Sequence, residues 1–341
     1  MDQAIRGTLE TGILDCAALR LSPFNPCKII THVPSARRIT LTIQLPSGAT
    51  YGAWLAADWH RLLDLARMAE DAGADRLVVV DHVLMGTHAD EQYHWSKRPF
   101  PPPDTPFLEP LSTLGAVAAV THLVRLSTRI LIAPLRPAAL LAKSVATLDV
   151  LSGGRMELGV GVGWQREEYD AQGLEWTKRG ELLTDSIAAC RALWSGSPCS
   201  FRSSSVTLED VYCAPRPMQT RLPVWFGGVL HSKNLARLVD LGDGWIPIMT
   251  AGLEEVRQGA ETLQRVTRAA GRADLQVQAP IPVMRGQNGH PDLGRTLAQV
   301  PQALEAGATD VFFSLAELSP DPERAAPVLV ELTRRLAAEL R

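Results

Sequence analysis

"EDAGADRLVVVD", residues 70–81, runs from a helix end through Gly73 and an aspartate into a short, wholly apolar strand. The same order recurs in "LVDLGDGWIPI" (238–248) and "LEAGATDVFFSL" (304–315). Gly73 sits where a helix C-cap glycine belongs, free to take the left-handed conformation that ends a helix. An apolar run without alternation is what a strand covered on both faces requires, as in a parallel sheet. A unit that ends a helix and begins a buried strand, repeated along a chain, spells alternating α and β.

More strands fit outward from these three copies. "ITLTIQL" (39–45) is a β-branched run ended by Pro46, Ser47 and Gly48. "TRILIAPL" (128–135), "RMELGVGV" (155–162), "PVWFGG" (223–228) and "VQAPIPVM" (277–284) follow. Residues 58–72 carry apolar positions at helical spacing, among them Leu62, Leu65, Ala66 and Ala69. Further helices are expected at about 108–123, 137–150, 177–194, 231–241, 252–270, 294–306 and 322–340. Eight strands, each followed by helical sequence, imply parallel pairing and right-handed crossovers. The expected fold is an α/β (β/α)8 TIM barrel with insertion loops. An open doubly wound sheet is the rival, weakened because no G-x-G-x-x-G follows the first strand.

The barrel is expected to occupy 39–341. Residues 1–38, broken by Pro23, Pro26 and Pro34, read as a loosely attached N-terminal extension. Two stretches are too long for plain connections: 82–107, rich in His, Pro and aromatics, and 195–222, which carries Ser and Pro. Such loops in a compact barrel are usually lids or insertions. The first follows the C-terminal end of a strand, on the face where barrel active sites form.

Bulk properties narrow the function classes. The 341 residues are 46% hydrophobic and 21% charged, with a net charge of -3, so nothing draws the chain to nucleic acid or an anionic membrane. No apolar run is long enough to span a bilayer, and Asp2 follows Met1 with no secretory h-region. The five cysteines, Cys16, Cys27, Cys190, Cys199 and Cys213, are odd in number and form no C-x-x-C. Reduced thiols in a cytoplasmic protein are the expectation.

Several segments could carry chemistry, and each also has a purely structural reading. "ELGVGVGW" (157–164) sets Gly159, Gly161 and Gly163 at alternate positions. Glycines inside a strand mark close approach, either by a flat ligand or by packing in the barrel centre. "FGGVLHSKN" (226–234) places two glycines at a strand end and Ser232 at a helix start. That pattern suits a phosphate on free N–H groups, or a tight turn with Ser232 as N-cap. Asp81–His82 ends the second strand, where an acid and an imidazole can bind a ligand or move a proton; a capped turn with a loop histidine is the plain reading. His88, Asp90, Glu91 and His94 lie nearby, but polar residues are expected in so long a loop and no metal is assigned. Arg166, Glu167 and Glu168 stand at a helix start, where the two carboxylates read as dipole partners; Arg179 and Glu181 read as a surface ion pair. No G-x-S-x-G, P-loop or H-E-x-x-H occurs.

Together "EDAGADRLVVVDHV", "PFLEPLSTLGAVAAVTHLVRLSTRILIAPLRPAALLAKSVATLDVLSGGRMELGVGVGWQREEY" and "PVWFGGVLHSKNLARLVDLGDGWIPI" resemble the luciferase-like monooxygenase superfamily, especially its coenzyme F420-dependent branch. The resemblance covers about 39–250 and implies a bacterial-luciferase-like TIM barrel. It implies that Asp81 and His82 meet the ring system of the cofactor. Arg129 and Ile130 match a bulge that holds a non-proline cis peptide and supports the ring. Gly163, Trp164 and Gln165 match the segment lining the cofactor, and Gly227, Gly228 and Ser232 match the tail-phosphate site. One departure is Trp164, which stands where the sugar-phosphate dehydrogenases of the superfamily have an acidic glutamate, so their reaction is not carried over.

Three readings follow from that resemblance. The first is an F420-dependent oxidoreductase moving a hydride to or from a small organic substrate, with His82 as the proton-transferring group. The second is an FMN-dependent monooxygenase using O2 and served by a separate flavin reductase. The third is a flavin-binding barrel without turnover. Substrate identity and oligomeric state are open, although the resemblance allows a homodimer.

Overall fold

In the computed structural model, which describes residues 39–48, 60–92 and 102–339, the first strand pairs with both the second and the last. The strands are β1 (Thr40–Gln44), β2 (Arg76–Val79), β3 (Arg125–Thr128), β4 (Leu131–Ile132), β5 (Leu158–Gly161), β6 (Cys199–Arg202), β7 (Thr207–Val211), β8 (Val224–Gly227), β9 (Gly244–Ile246), β10 (Gln276–Pro280) and β11 (Asp310–Ser314). Nine of them form one sheet in the order β3-β2-β1-β11-β10-β9-β8-β5-β4. Every pairing in that sheet is parallel.

β3 and β4 are the two halves of one strand, interrupted at Arg129–Ile130, whose peptide bond is cis, as the resemblance implied. Leu126 on β3 bridges to Met156 just ahead of β5, and the Leu126 N–H donates to Arg155 O at 3.0 Å. The ring therefore closes with eight strand positions, the count expected from sequence. The first half of the third strand begins at Arg125, three residues earlier than the apolar pattern predicted, because Arg125 and Ser127 belong to it without being apolar. Ala133–Leu135 is not strand but a 3-10 turn, since Pro134 has no N–H to give a ladder.

Helices cover the outside. The predicted helix over 294–306 is two pieces, Leu293–Leu297 and Val300–Glu305, with Pro301 at the start of the second. The 195–222 stretch holds the antiparallel hairpin β6–β7. The expected extension at 1–38 and the middle of the 82–107 loop, including His94, lie outside the described residues. Among the described residues no helix is long and apolar enough to cross a membrane.

The floor of the barrel, at the N-terminal strand ends, is a buried ion cluster. Arg76 opens β2, Asp310 opens β11 and Glu157 immediately precedes β5. Arg76 Nη2 meets Glu157 Oε2 at 2.9 Å, and its Nη1 pairs with Asp310. Arg125 adds a 2.6 Å contact to Glu157, and the Trp225 indole N–H donates to the same carboxylate at 2.8 Å. Burial pushes the Asp310 carboxyl up to about 6 against the pull of Arg76. All the cations of this cluster face carboxylates, which is how buried charge is tolerated.

Candidate active site

The opposite end, at the C-terminal strand ends, gathers the residues singled out from sequence. His82 follows β2, with a side chain 14% exposed. Its ring meets Phe107 edge-on at 5.0 Å and Trp164 edge-on at 5.4 Å. Gln165 Nε2 lies 3.1 Å from His82 Nδ1, and Glu168 Oε1 lies 3.4 Å from it. The Gln165 amide has a fixed sense, because Oε1 accepts from Gly86 N at 3.0 Å while Nε2 donates to Leu84 O at 3.2 Å. A neutral imidazole with its proton on Nε2 therefore accepts from Gln165 at Nδ1. A protonated ring turns an Nδ1–H toward Glu168. Each charge state has a partner, and Nε2 has none among the described residues.

Asp81 is committed elsewhere. It accepts from Ile132 N at 2.8 Å and from Arg136 at 2.7 and 3.0 Å. Arg136 in turn donates to Glu109 at 2.9 Å. Asp81 thus ties the end of β2 to the second half of the third strand and fixes the direction in which His82 leaves the sheet.

The alternate glycines have a packing cause. A Cβ at Gly159 would sit 2.0 Å from Thr128 O, one at Gly161 would meet Ile130 Cδ1 at 2.8 Å, and one at Gly163 would meet Ile132 Cδ1 at 3.0 Å. A Cβ at Gly227 would also press on Ile130, at 2.8 Å. These glycines make room for the bulge, so the bulge can press against the inner wall and present itself at the mouth. Of the two readings of this run, close packing of one strand on another is the one the geometry supports.

At the end of β8, Gly228 has φ +113, a left-handed conformation that disfavours any side chain, and a Cβ there would meet nothing within 4 Å. Its N–H is already used, donating to Ile246 O at 3.0 Å. The helix Ser232–Leu241 begins three residues later, and its N-cap is His231 rather than Ser232. His231 Nδ1 accepts from Asn234 N at 3.3 Å. Ser232 and Lys233 are exposed in the first turn, so their backbone N–H groups, not that of Gly228, are the donors available beside this open space.

Sequence reasoning missed Glu168, Arg136 and Phe107. Glu168 looked like a dipole partner, yet it is fully buried and accepts from Val83 N at 2.8 Å. With Gln165 it clamps residues 83–86 against the end of β5.

The family model for luciferase-like monooxygenases matches residues 38–289. The chain belongs to this family. A Mycobacterium tuberculosis protein of uncharacterised function is 30% identical to this luciferase-like chain over 277 residues, 81% of the chain and 92% of that protein. An F420-dependent glucose-6-phosphate dehydrogenase of Amycolatopsis mediterranei is 30% identical over 225 residues, covering 62% of each chain. An F420-dependent secondary alcohol dehydrogenase, solved with an F420–acetone adduct, superposes with TM-score 0.69 at 18% identity, over 86% of this chain and 98% of its own. An EDTA monooxygenase from Chelativorans sp. BNC1 superposes with TM-score 0.66 at 12% identity, over 89% and 94%. At those identities the superpositions speak for the barrel alone. Membership makes this luciferase-like protein an enzyme of the oxidoreductase class, in a family whose members include F420-dependent dehydrogenases.

Proposed function

We propose that this luciferase-like enzyme is an F420-dependent oxidoreductase that exchanges a hydride with a small organic substrate. The observation that carries this is His82: a part-buried imidazole at the barrel mouth, with a hydrogen-bonding partner for each protonation state and an Nε2 without a partner among the described residues. When bound, the deazaflavin supplies the hydride-accepting carbon and reacts poorly with oxygen. A proton must then be moved by the protein, and an imidazole does so near neutral pH. The 30% identity to an F420-dependent dehydrogenase supports the cofactor assignment.

The chain's residues suit such a cofactor. The open space beside the left-handed Gly228 and the first turn of the helix at Ser232 would take a phosphate, with Gly227 admitting Ile130 of the bulge beside it. Ile130 at the bulge would lie behind the ring, with Gly163, Trp164 and Gln165 along its edge and Asp81 holding the bulge in place. Trp164 walls the substrate side; indole only donates hydrogen bonds, so it cannot replace a glutamic acid. Sugar-phosphate oxidation is therefore not assigned. The three buried free thiols, Cys190, Cys199 and Cys213, fit a cytoplasmic enzyme.

Parallel equilibrium titrations with F420 and FMN, each oxidised and reduced, test the reading. F420 should bind more tightly in both states. Tight FMN binding with oxygen-dependent product formation, and no F420 binding, would overturn it in favour of a monooxygenase.

A further inference from the structure

Arg129 is a buried cation with no carboxylate hydrogen-bonded to it among the described residues. The residue is 7% exposed, and its side chain crosses the barrel from the bulge. Nε donates to Gln278 Oε1, Nη1 lies against the sulfur of Met249, and the guanidinium stacks on Phe312 at 3.6 Å from the ring centre. Nη2 is buried and has no partner among the described residues.

Other buried arginines differ. The difference lies in the carboxylates: Arg76, whose Nε also lacks a hydrogen bond, has Asp310 and Glu157, and Arg136 has Asp81 and Glu109. Arg237 also lacks a carboxylate, but its three nitrogens donate to Thr184, Asn234 and Gly180 O. Asp310 acts on Arg129 only through space: its Oδ2 is taken by Arg76 and Thr42, and its Oδ1, buried without a hydrogen bond, makes none to Arg129. Burial pushes the Arg129 guanidinium down to about 9, which leaves it charged at neutral pH. A desolvated guanidinium with an open N–H strongly favours a planar anion that can take its donors. Stacking on Phe312 fixes the plane in which that anion must approach, and Met249, 45% exposed, places the site next to solvent at the mouth.

We propose that Arg129 receives the carboxylate of the substrate, so that the enzyme acts on a small organic acid. This rests on the oxidoreductase reading of the same mouth, and it makes Arg129 a specificity residue while His82 handles the proton.

The test uses ligand-free protein, so it stands or falls independently of the cofactor assignment. Thermal unfolding is followed while sodium formate, the smallest carboxylate, is titrated against sodium chloride at equal ionic strength. The wild type should show a saturable rise in melting midpoint with formate beyond the chloride control. Arg129→Met should start from a higher midpoint, having lost a buried unpaired charge, and its apparent formate affinity should fall about tenfold or more. Arg129→Lys should retain part of the response. If the Met variant does not fold, Arg129→Gln serves in its place. Absence of a formate response in the wild type, or an equal response in the variant, overturns the proposal. A variant that loses F420 affinity, alongside a wild type indifferent to formate, assigns the charge to the cofactor and overturns it too.

Discussion

The barrel has a buried arginine at each end of its axis, and the two are treated in opposite ways. At the floor, Arg76 is held between Glu157 and Asp310, with Arg125 and Trp225 completing the shell. At the mouth, Arg129 has an amide, a sulfur and an aromatic face but no carboxylate among the described residues; each arginine leaves one buried nitrogen without a hydrogen bond there, Nε of Arg76 and Nη2 of Arg129. The same side chain in the same barrel is thus a structural plug at one end and an unfinished contact at the other. The Arg76 charge is met by carboxylates of the fold; in our proposal the Arg129 charge is met by one that arrives.

This contrast can be broken most forcefully at the floor. Arg76→Met removes the partner of two buried carboxylates and should destabilise the protein by about 3–5 kcal/mol. Denaturant unfolding of Arg76→Met and Arg129→Met side by side should give shifts of opposite sign; a shared sign would erase the distinction between the two ends. The next largest effect belongs to the mouth alone. His82→Ala should lower turnover roughly a hundredfold while F420 still binds, and steady-state kinetics with a binding titration separate the two. Unchanged turnover would remove His82 from the proton step. Gly228→Val should follow, with a stability cost on the order of 1–3 kcal/mol from forcing a branched residue to positive φ. Its fluorescence titration should also show lost cofactor affinity, because the side chain fills the open space of the proposed phosphate site. A folded variant that binds cofactor normally would place that site elsewhere. Least affected should be a chain lacking residues 1–35, whose cofactor affinity should stay within a few-fold. Loss of soluble protein would show that those residues belong with the barrel.

Sequence carried the fold well because its signals are local. "RLVVV" and "DVFFS" declare buried strands whatever their neighbours are, and the glycine–aspartate entry repeats ahead of them. The third strand was harder to place, because its first half begins with Arg125 and Ser127 and is interrupted before the apolar run resumes. Candidate mouth residues were partly legible: the family pattern pointed to His82, Trp164 and Gln165, and these do meet in space. The partners that orient them were not. Glu168 reaches Val83 across 85 positions, and Arg136 reaches Asp81 across 55, separations at which no local periodicity operates. The glycine run shows the converse limit. A missing side chain reports that something comes close, and only the fold reveals that Thr128, Ile130 and Ile132 are what comes.

The clamp on residues 83–86 grips main-chain atoms alone. Glu168 takes the N–H of Val83, while Gln165 takes the N–H of Gly86 and gives to the carbonyl of Leu84. Val83 and Leu84 keep their side chains largely in solvent, 46% and 36% exposed. Their identities can therefore drift without loosening the loop that sits beside the imidazole. That makes this short segment an interchangeable face beside the imidazole, one on which a lineage, or a combinatorial library, could try new substrates while His82, the proposed proton carrier, stays fixed.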